Sequence, residues 1–363
     1  MLEPELLAQT VGSGSYLPED VQFLLRPVSI GLTDVLEKER LIQTRQKHYS
    51  EMISQEDAPS EAHMALYEQA LRQNGLRMAA DVQALALALN QHCQGPRIVL
   101  VSFVRAGLPL GVLLRRALSG LGREVHHYGI SIVRDRGIDK VALEAIIAAH
   151  GAEHIVFVDG WTGKGAICGE IMRSLGDDPR FPGKPRLVVL ADPCGHAWLA
   201  ASAEDWIIPS GILGATVSGL VSRSIWPADN GLHGCVVYDH LAPCDVTRSF
   251  IERLEAARAG VNVGPATPWR DDQAQRLQRA ALGVVQGLAE RFGISNLNRI
   301  KPGIAEATRA VLRRVPDQVL VRDSSDADVQ LLVHLTDRAG LQVQQVGDVL
   351  GPYRAVTVIR GVS

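Results

Sequence analysis

The stretch HIVFVDGWTGKGAI, His154 to Ile167, sets the architecture expected of this chain. Its run Ile155 to Val158 is apolar and mostly β-branched, which is typical of a strand buried on both faces of a sheet. Asp159 ends that run, a glycine-rich turn follows, and AICGEIMRSL, Ala166 to Leu175, has the pattern of a helix. This order predicts an α/β domain with a parallel sheet, whose ligands bind at the carboxyl ends of the strands.

The turn after Asp159 has the composition of a sugar-phosphate site. Glycines let backbone N–H groups approach a phosphate, and the N-terminus of the next helix favours negative charge. We therefore expect Asp159 to face a sugar hydroxyl or a metal, and Thr162 and Lys164 to face a phosphate. A P-loop is excluded because Gly165 follows Lys164, where Ser or Thr is needed to hold magnesium. An ordinary strand-to-helix turn is the structural alternative.

Composition limits the class of protein. The 363 residues suffice for two or three domains, and the net charge of −3 does not mark the whole chain as a nucleic-acid binder. The N-terminus lacks the pattern of a signal peptide, and no apolar run reaches the length of a membrane span. The five cysteines are scattered, and no pair has zinc-ligand spacing. We expect a soluble cytoplasmic protein with reduced thiols and no membrane contact.

Other segments supply further strands and charged loops. Ile98 to Val101 predicts a second buried strand, and the turn behind it carries an arginine and glycines that suit a diphosphate. The segment LVVLAD predicts a third strand that ends at Asp192, with Cys194 and His196 just beyond. Trp206 to Ile208 predicts a short fourth strand.

Two helices are predicted before the second strand, and a linker after the last strand of this region. The first runs from Thr33 to Tyr49 with Thr33 as its N-cap, and the second begins at Pro59 and Ser60. GVNVGPATPWRDD clusters Gly, Pro, Asn and Thr without periodicity, which is typical of a linker.

The strand-end motifs resemble those of type I phosphoribosyltransferases. In that family two adjacent acids hold the ribose hydroxyls, and a Thr/Gly loop holds the 5′-phosphate. Gly160 stands here in place of the second acid. The resemblance implies Asp159, Arg134 and Arg136 as catalytic residues and Asp159 as a ligand of Mg²⁺. It implies that substrate is bound by Ser102, Arg105, Ala106, Gly107, Gly160, Trp161, Thr162, Gly163, Lys164 and Gly165.

The last 66 residues, 298 to 363, resemble the Pelota/L7Ae-type RNA-binding domain. The matching stretches are KPGIAEATR and DVLGPYRAVTVI. Ala305 stands where kink-turn binders of that superfamily carry Asn. The resemblance implies an RNA surface made by Lys301, Gly303, Glu306, Arg309 and Arg313, since clustered cations contact phosphates.

Taken in order, the motifs are similar to those of one bacterial family, StiP, which is associated with tellurium-resistance and stress operons. It implies an α/β fold with a parallel-sheet, type I phosphoribosyltransferase-like domain and a small C-terminal α/β Pelota/L7Ae-like domain. The expected boundaries are 1–258 for the first domain (the head), 259–297 for a linker and bridging helix, and 298–363 for the second domain (the tail).

Two activities are attached to that family, phosphoribosyltransferase and cysteine protease. Members of the family tend to carry Cys near the position of Ile212, and this chain has none there. Cys194 with His196, and His233 with Cys235, lie too close in sequence for a catalytic pair. The expectation is therefore a Mg²⁺-dependent transferase that handles a ribose-5-phosphate substrate such as phosphoribosyl pyrophosphate or a nucleotide. The tail would bind RNA, and the protein could form a homodimer. The alternatives are a cysteine protease and a non-catalytic sugar-phosphate sensor that binds RNA.

Overall fold

A six-stranded sheet, parallel throughout, forms the centre of the head in the computed structural model, which describes residues 2–176 and 178–361. The strands of the head are β1 (Gln22–Phe23), β2 (Arg26–Pro27), β3 (Arg97–Phe103), β4 (Glu124–Ile130), β5 (Ile132–Val133), β6 (Gly137–Ile138), β7 (Ile155–Val158), β8 (Leu187–Ala191), β9 (Leu199–Ser202) and β10 (Gly234–Cys235). The central sheet has the order β1-β4-β3-β7-β8-β9, and the other strands form two-stranded pairs, β2 with β10 and β5 with β6. A mixed α/β fold with a parallel sheet is thus confirmed.

Helices cover both faces of this sheet. They are α1 (Pro4–Leu7), α2 (Val35–Gln43), α3 (Glu61–His92), α4 (Gly107–Gly120), α5 (Lys140–His150), α6 (Ala166–Leu175) and α7 (Thr247–Arg258). Successive side chains of β3 pack into two different hydrophobic clusters: Ile98 and Leu100 into one, Val99 and Val101 into the other. A parallel strand between two helical layers needs such a continuous apolar run, which is why the strand was visible in the sequence.

Short 3₁₀ helices lie in several of the connections between these elements and those of the tail. They span Tyr49–Glu51, Ala152–His154, Pro209–Gly211, Ala215–Val217, Asp239–Cys244, Leu297–Arg299, Ala327–Val329 and Gly347–Leu350.

One predicted helix is shorter than expected, and one predicted strand is absent. The helix expected from Thr33 to Tyr49 is α2, capped by the Asp34 side chain and ended at Thr44, because Arg45 adopts a φ of 58° that no helix continues. Trp206 to Ile208 form no strand; they are buried irregular backbone, and the Arg77 guanidinium stacks on Trp206. The edge strand is β9 instead, whose sequence LAAS lacks the β-branched residues that mark strands.

The tail is a second α/β layer built on its own four-stranded sheet, of order β11-β14-β12-β13. Its elements, with the helix that leads into it, are α8 (Asp271–Arg291), β11 (Ile300–Pro302), α9 (Ile304–Arg313), β12 (Pro316–Val321), α10 (Gln330–Arg338), β13 (Val343–Gln345) and β14 (Ala355–Ile359). The central strand β14 is antiparallel to β11 and β12.

The tail packs over the carboxyl ends of the head strands. The buried carboxylate of Asp205 accepts the backbone N–H groups of Ile304, at 3.0 Å, and Arg354, at 2.8 Å. It thereby caps α9, whose first N–H groups have no partner within the helix. The Tyr353 hydroxyl donates to the carbonyl oxygen of Gly163 at 2.8 Å, so the tail also contacts the glycine-rich loop.

Within residues 2–176 and 178–361, no helix combines the length and the apolar composition that crossing a membrane requires.

Candidate functional site

A cavity of about 170 Å³ opens between the strand ends of the head and helix α9 of the tail. It is lined by many of the predicted residues, among them Arg105, Ala106, Arg134, Asp159, Trp161, Thr162, Gly163, Lys164, Gly165, Lys301, Glu306 and Arg309. The predicted substrate residues of the head and the predicted RNA residues of the tail therefore share one site, although 136 or more residues separate them in sequence.

Six of the predicted residues lie outside this cavity or inside the packing. Ser102 is buried, and its hydroxyl lies 3.1 Å from the Gly107 carbonyl oxygen and 2.8 Å from His127 Nε2. A Cβ on Gly107 would meet the Val158 carbonyl oxygen at 2.2 Å, so that glycine serves close packing. The Arg136 guanidinium pairs with Glu51 and stacks on Trp226, outside the cavity.

Gly160 and Gly303 have structural roles of the same kind. The N–H of Gly160 donates to Asp159 Oδ1 at 2.8 Å. Gly303 has a φ of 90° and precedes α9, next to Asp205. Arg313 lines a neighbouring cavity and lies 3.8 Å from Glu56.

The groups expected to hold a phosphate make contacts inside the protein. The Thr162 hydroxyl donates to Asp192, and the Lys164 ammonium donates to the Ile300 carbonyl oxygen at 3.1 Å. Burial lowers the pKa of Lys164 to about 8. In this arrangement the loop contacts the tail and the end of β8. This is the structural alternative that the sequence allowed, an ordinary strand-to-helix turn.

Asp159 is a buried carboxyl beside α9. Burial raises its pKa to about 7, and the Arg309 charge offsets this only in part. The Arg309 guanidinium stacks 4.5 Å from the ring centroid of Trp161. Within the described ranges, no three His, Cys, Asp or Glu side chains cluster as a metal site. Mg²⁺ is usually held by one or two carboxylates together with phosphates and waters, so Mg²⁺ on Asp159 stays a prediction.

Replacing Asp159 by Asn is expected to stabilise the protein above neutral pH. The folded carboxyl, with a pKa of about 7, keeps its proton at pH values where the unfolded carboxyl, near 3.8, has lost it. The free energy of unfolding therefore falls as pH rises from about 4 to about 7. We expect Asp159→Asn to gain roughly 2–4 kcal/mol at pH 8 and almost nothing at pH 4. Urea unfolding of both proteins at the two pH values measures this; an equal gain at both would contradict it.

A second group of polar side chains surrounds Asp192, at the end of β8. This fully buried carboxylate accepts hydrogen bonds from Thr162 Oγ1, from Cys194 Sγ at 3.5 Å, and from Trp269 Nε1 at 2.9 Å. It also accepts the backbone N–H groups of His196, at 3.1 Å, and of the residue after it, at 2.8 Å. The sequence places Asp192 at the end of a strand, but no motif predicts that its carboxylate holds this loop in place by hydrogen bonds.

The α6 helix begins beside that group. The His196 ring packs against Gly165, where a Cβ would meet it at 2.5 Å, and Cys168 is the third residue of α6. No side chain caps this helix, and Ala166 and Ile167 line the cavity. Burial lowers the pKa of His196, so the imidazole is neutral at pH 7. A thiol, a neutral imidazole and free helix N–H groups thus lie in one region.

The thiols differ in exposure. Cys93, Cys194 and Cys235 are buried, while Cys168 and Cys244 are partly exposed. Burial raises the pKa of Cys93, and it raises those of Cys168 and Cys235 to about 12. Among the described residues no cysteine sulfur hydrogen-bonds to an imidazole nitrogen. At Ile212, the position where family members tend to carry Cys, the carbonyl oxygen lies 2.9 Å from His63 Nε2.

Known protein families match both the head and the tail of this chain. The family described as "Tellurite-like stress resistance cysteine protease StiP" matches residues 14–255, and the "PELOTA RNA binding domain" matches residues 279–361. A protein of Acinetobacter baylyi (strain ATCC 33305 / BD413 / ADP1) named "Cysteine protease StiP" is 54% identical over 369 aligned residues, covering 98% of this chain and 96% of that protein.

Solved structures are similar at a much lower level. Hypoxanthine phosphoribosyltransferase of Trypanosoma cruzi shares 14% identity at a TM-score of 0.24, covering 38% of this chain and 77% of that one. An inhibitor-bound glycine decarboxylase (P-protein) shares 11% identity at a TM-score of 0.25, covering 93% and 88% of the two chains. Scores this low carry no argument about fold or function.

These findings correct the expected activity. The transferase interpretation is wrong, because the relative that is similar over almost the full length, and the family that matches the head, are both named for a cysteine protease. The resemblances to StiP and to the Pelota domain are confirmed. The physical reason for the error is visible in the loop, where Thr162 and Lys164 contact protein atoms.

Proposed function

This chain belongs to the StiP family, and on that premise we propose that it is a cysteine protease acting in bacterial stress resistance. The observation that supports this is the 54% identity to the Acinetobacter baylyi protein across 98% of this chain. The proposal rests on that similarity, and the structure contributes the choice of thiol.

We propose Cys168 as the nucleophile. It is one of two partly exposed thiols, and it lies in the first turn of α6, whose N-terminal N–H groups would stabilise negative charge that develops during attack. His196, neutral and packed against the residue that precedes α6, would take its proton. Cys244 lies instead at the end of a short 3₁₀ segment, three residues before α7 and outside the first turn of that helix.

The proposed reaction has two stages. The Cys168 sulfur attacks the scissile carbonyl carbon as its proton passes to His196, and the carbonyl oxygen, now negative, would face the N–H groups at the start of α6. His196 then gives the proton to the departing amine, and the C–N bond breaks. Water hydrolyses the resulting thioester, which restores the thiol. Because burial raises the pKa of Cys168 to about 12, the resting thiol is protonated and its proton transfer accompanies attack.

Peptide hydrolysis with and without a thiol alkylator tests this activity. The purified chain and the Acinetobacter baylyi relative are assayed side by side on one fluorogenic peptide library. We expect both to hydrolyse members of the library, and iodoacetamide to abolish hydrolysis irreversibly. Hydrolysis by the relative alone, or hydrolysis that survives alkylation, would contradict the proposal.

We also propose that the tail binds RNA, which the Pelota match over residues 279–361 supports. Lys301 and Arg309 line the cavity between the tail and the head. RNA phosphates on the protein surface would therefore contact other cations. A groove of about 770 Å³ between head and tail is lined by Lys47 and Arg299, among others.

RNA binding is expected to depend steeply on salt. With three phosphate contacts, affinity for a single-stranded oligonucleotide should fall about 10-fold or more as salt rises from about 50 mM to about 200 mM. Lys47→Ala and Arg299→Ala should each weaken binding and flatten that slope, while Lys140→Ala, at an exposed residue that does not line the groove, should not. Fluorescence anisotropy measures both quantities. Salt-independent binding would rule out a phosphate surface.

Several finer assignments stay predictions. One is the type I phosphoribosyltransferase-like fold of the head, which the parallel sheet supports. Another is the division of the chain at 1–258, 259–297 and 298–363. The others are Mg²⁺ on Asp159, a ribose-phosphate small molecule as ligand, a homodimer and a cytoplasmic location. None of them implies a transferase reaction.

A further inference from the structure

A second cavity, of about 280 Å³, adjoins the first on the side of α2 and holds a large excess of positive charge. Its lining contains one carboxylate, Glu306, and the guanidinium of Arg314, which Glu39 neutralises. The other charged side chains that line it are all cations: Lys38, Arg134, Arg223, Lys301, Arg309 and Arg313. They come from four separate parts of the chain, so only the folded head and tail together assemble them.

Most of these cations have no carboxylate partner. Within the described residues, Arg313 alone among the six forms an ion pair, with Glu56 at 3.8 Å, and Glu56 is held closer by Arg105 at 2.8 Å. The Arg223 guanidinium donates only to backbone carbonyl oxygens, those of Tyr49, Met52 and Ser224.

Four of the six have a side-chain donor with no hydrogen-bond acceptor, or with a single long contact, among the described residues. Lys301 is 8% exposed, and its ammonium makes no hydrogen bond to a described residue. Lys38 is also 8% exposed, and its ammonium contacts only the Ser54 hydroxyl, at 3.3 Å. The buried Nε atoms of Arg134 and Arg309 have no acceptor. Donors buried in this way are rare, and a bound anion is one group that would satisfy them.

The positive charges shift one another's pKa values. Burial, together with Arg223 and its cationic neighbours, lowers the pKa of Lys38 to about 7, and burial with Arg134 lowers that of Lys301 to about 7. The pKa of Glu306 lies below its ordinary value because, although burial raises it, Arg309 and Lys301 surround that carboxylate. One carboxylate therefore cannot balance the set, and a buried cation without a counter-charge is costly.

We propose that this cavity binds a small oxyanion that carries two or more negative charges and so joins the head to the tail. Guanidinium groups donate to the oxygens of such anions in pairs, and lysine ammonium groups add positive point charges. Several such cations around one cavity therefore favour an anion with more than one negative charge. The cavity is near the lower limit of small-molecule sites, so it suits a compact anion rather than a stretch of nucleic acid. The anion is a bound partner, and no covalent step is assigned to it.

Calorimetric titration with inorganic pyrophosphate tests the site. The comparison is wild type against Lys301→Met and Lys38→Met, which keep the apolar stem and remove the charge, with exposed Lys140→Met as the matched control. We expect each cavity variant to weaken binding about 10-fold or more and the control to leave it unchanged. Without the anion, Lys301→Met should unfold at the same or a higher urea concentration than wild type, since it removes an unpaired buried charge. A merely structural lysine would show the opposite.

Proton uptake gives a second readout. An anion would raise the pKa values of Lys38 and Lys301 from about 7, so binding at pH 8 should take up protons and weaken as pH rises. Methanedisulfonate, whose charge does not change with pH in this range, is titrated in two buffers of different ionisation enthalpy. Binding without proton uptake, no binding of pyrophosphate by wild type at millimolar concentration, or full affinity in both Met variants would each overturn the proposal. The proposal would also be overturned if an RNA oligonucleotide displaced bound pyrophosphate and methanedisulfonate did not.

Discussion

Asp192→Ala is expected to lower the free energy of unfolding by ~3–5 kcal/mol, the largest stability effect of any substitution considered. The carboxylate is fully buried and accepts five donors: Thr162 Oγ1, Cys194 Sγ, Trp269 Nε1 and two backbone N–H groups after β8. Removing it leaves those donors unsatisfied in the interior, and each costs more than a lost surface bond.

Urea unfolding of Asp192→Ala, followed by tryptophan fluorescence, measures this effect. The matched control is Asp229→Ala, since the Asp229 carboxylate also accepts hydrogen bonds, from Arg26, but is 62% exposed, and we expect a change within about 1 kcal/mol there. Asp192→Asn should also destabilise, because an amide N–H₂ would face donors. A loss in Asp192→Ala no larger than that of the control would show that the loop holds its shape without the carboxylate.

Cys168→Ser is expected to reduce peptide hydrolysis by about 100-fold or more, the largest activity effect. A serine hydroxyl in the same place is a far weaker nucleophile unless a strong base activates it. His196 is packed at the start of α6 and has no hydrogen bond to a carboxylate from its ring among the described residues, so it could not rescue serine.

Cys244→Ser is the control, because Cys244 is the other partly exposed thiol. Hydrolysis should stay within about twofold of wild type in that variant. Circular dichroism and the urea midpoint should be unchanged in both, so that a loss of activity reports chemistry. Full activity in Cys168→Ser, or loss in Cys244→Ser alone, would move the nucleophile away from α6.

The sequence was sufficient where local pattern and tertiary role agree. The bounds Ile155–Val158 and Ala166–Leu175 match β7 and α6 because a buried parallel strand demands an unbroken apolar run, and the helix shows its own period. Ser60 was readable as the start of α3, since its side chain accepts the N–H of His63.

The site was harder to predict because its chemistry depends on contacts that are remote in sequence. From the sequence, Lys301 and Arg309 are expected to be exposed RNA contacts in a basic segment, yet in the folded protein they line cavities between the tail and the head. Glu56, which pairs with Arg105, lies in a segment without any motif, and Asp205, which caps α9, follows no recognisable signal. Thr162 and Lys164 have the residue types of a phosphate loop, but their partners are Asp192 and the tail backbone. Residue type alone does not state which partner a side chain finds.

Covalent labelling tests the central claim most directly. The purified full-length protein is incubated with a peptide library bearing an electrophile, such as a vinyl sulfone, and digested, and the labelled peptide is located by mass spectrometry. The cysteine protease account predicts one labelled site, Cys168, at a rate that far exceeds labelling by the same electrophile without the peptide. Labelling of no cysteine, or equal slow labelling of Cys168 and Cys244, would contradict it.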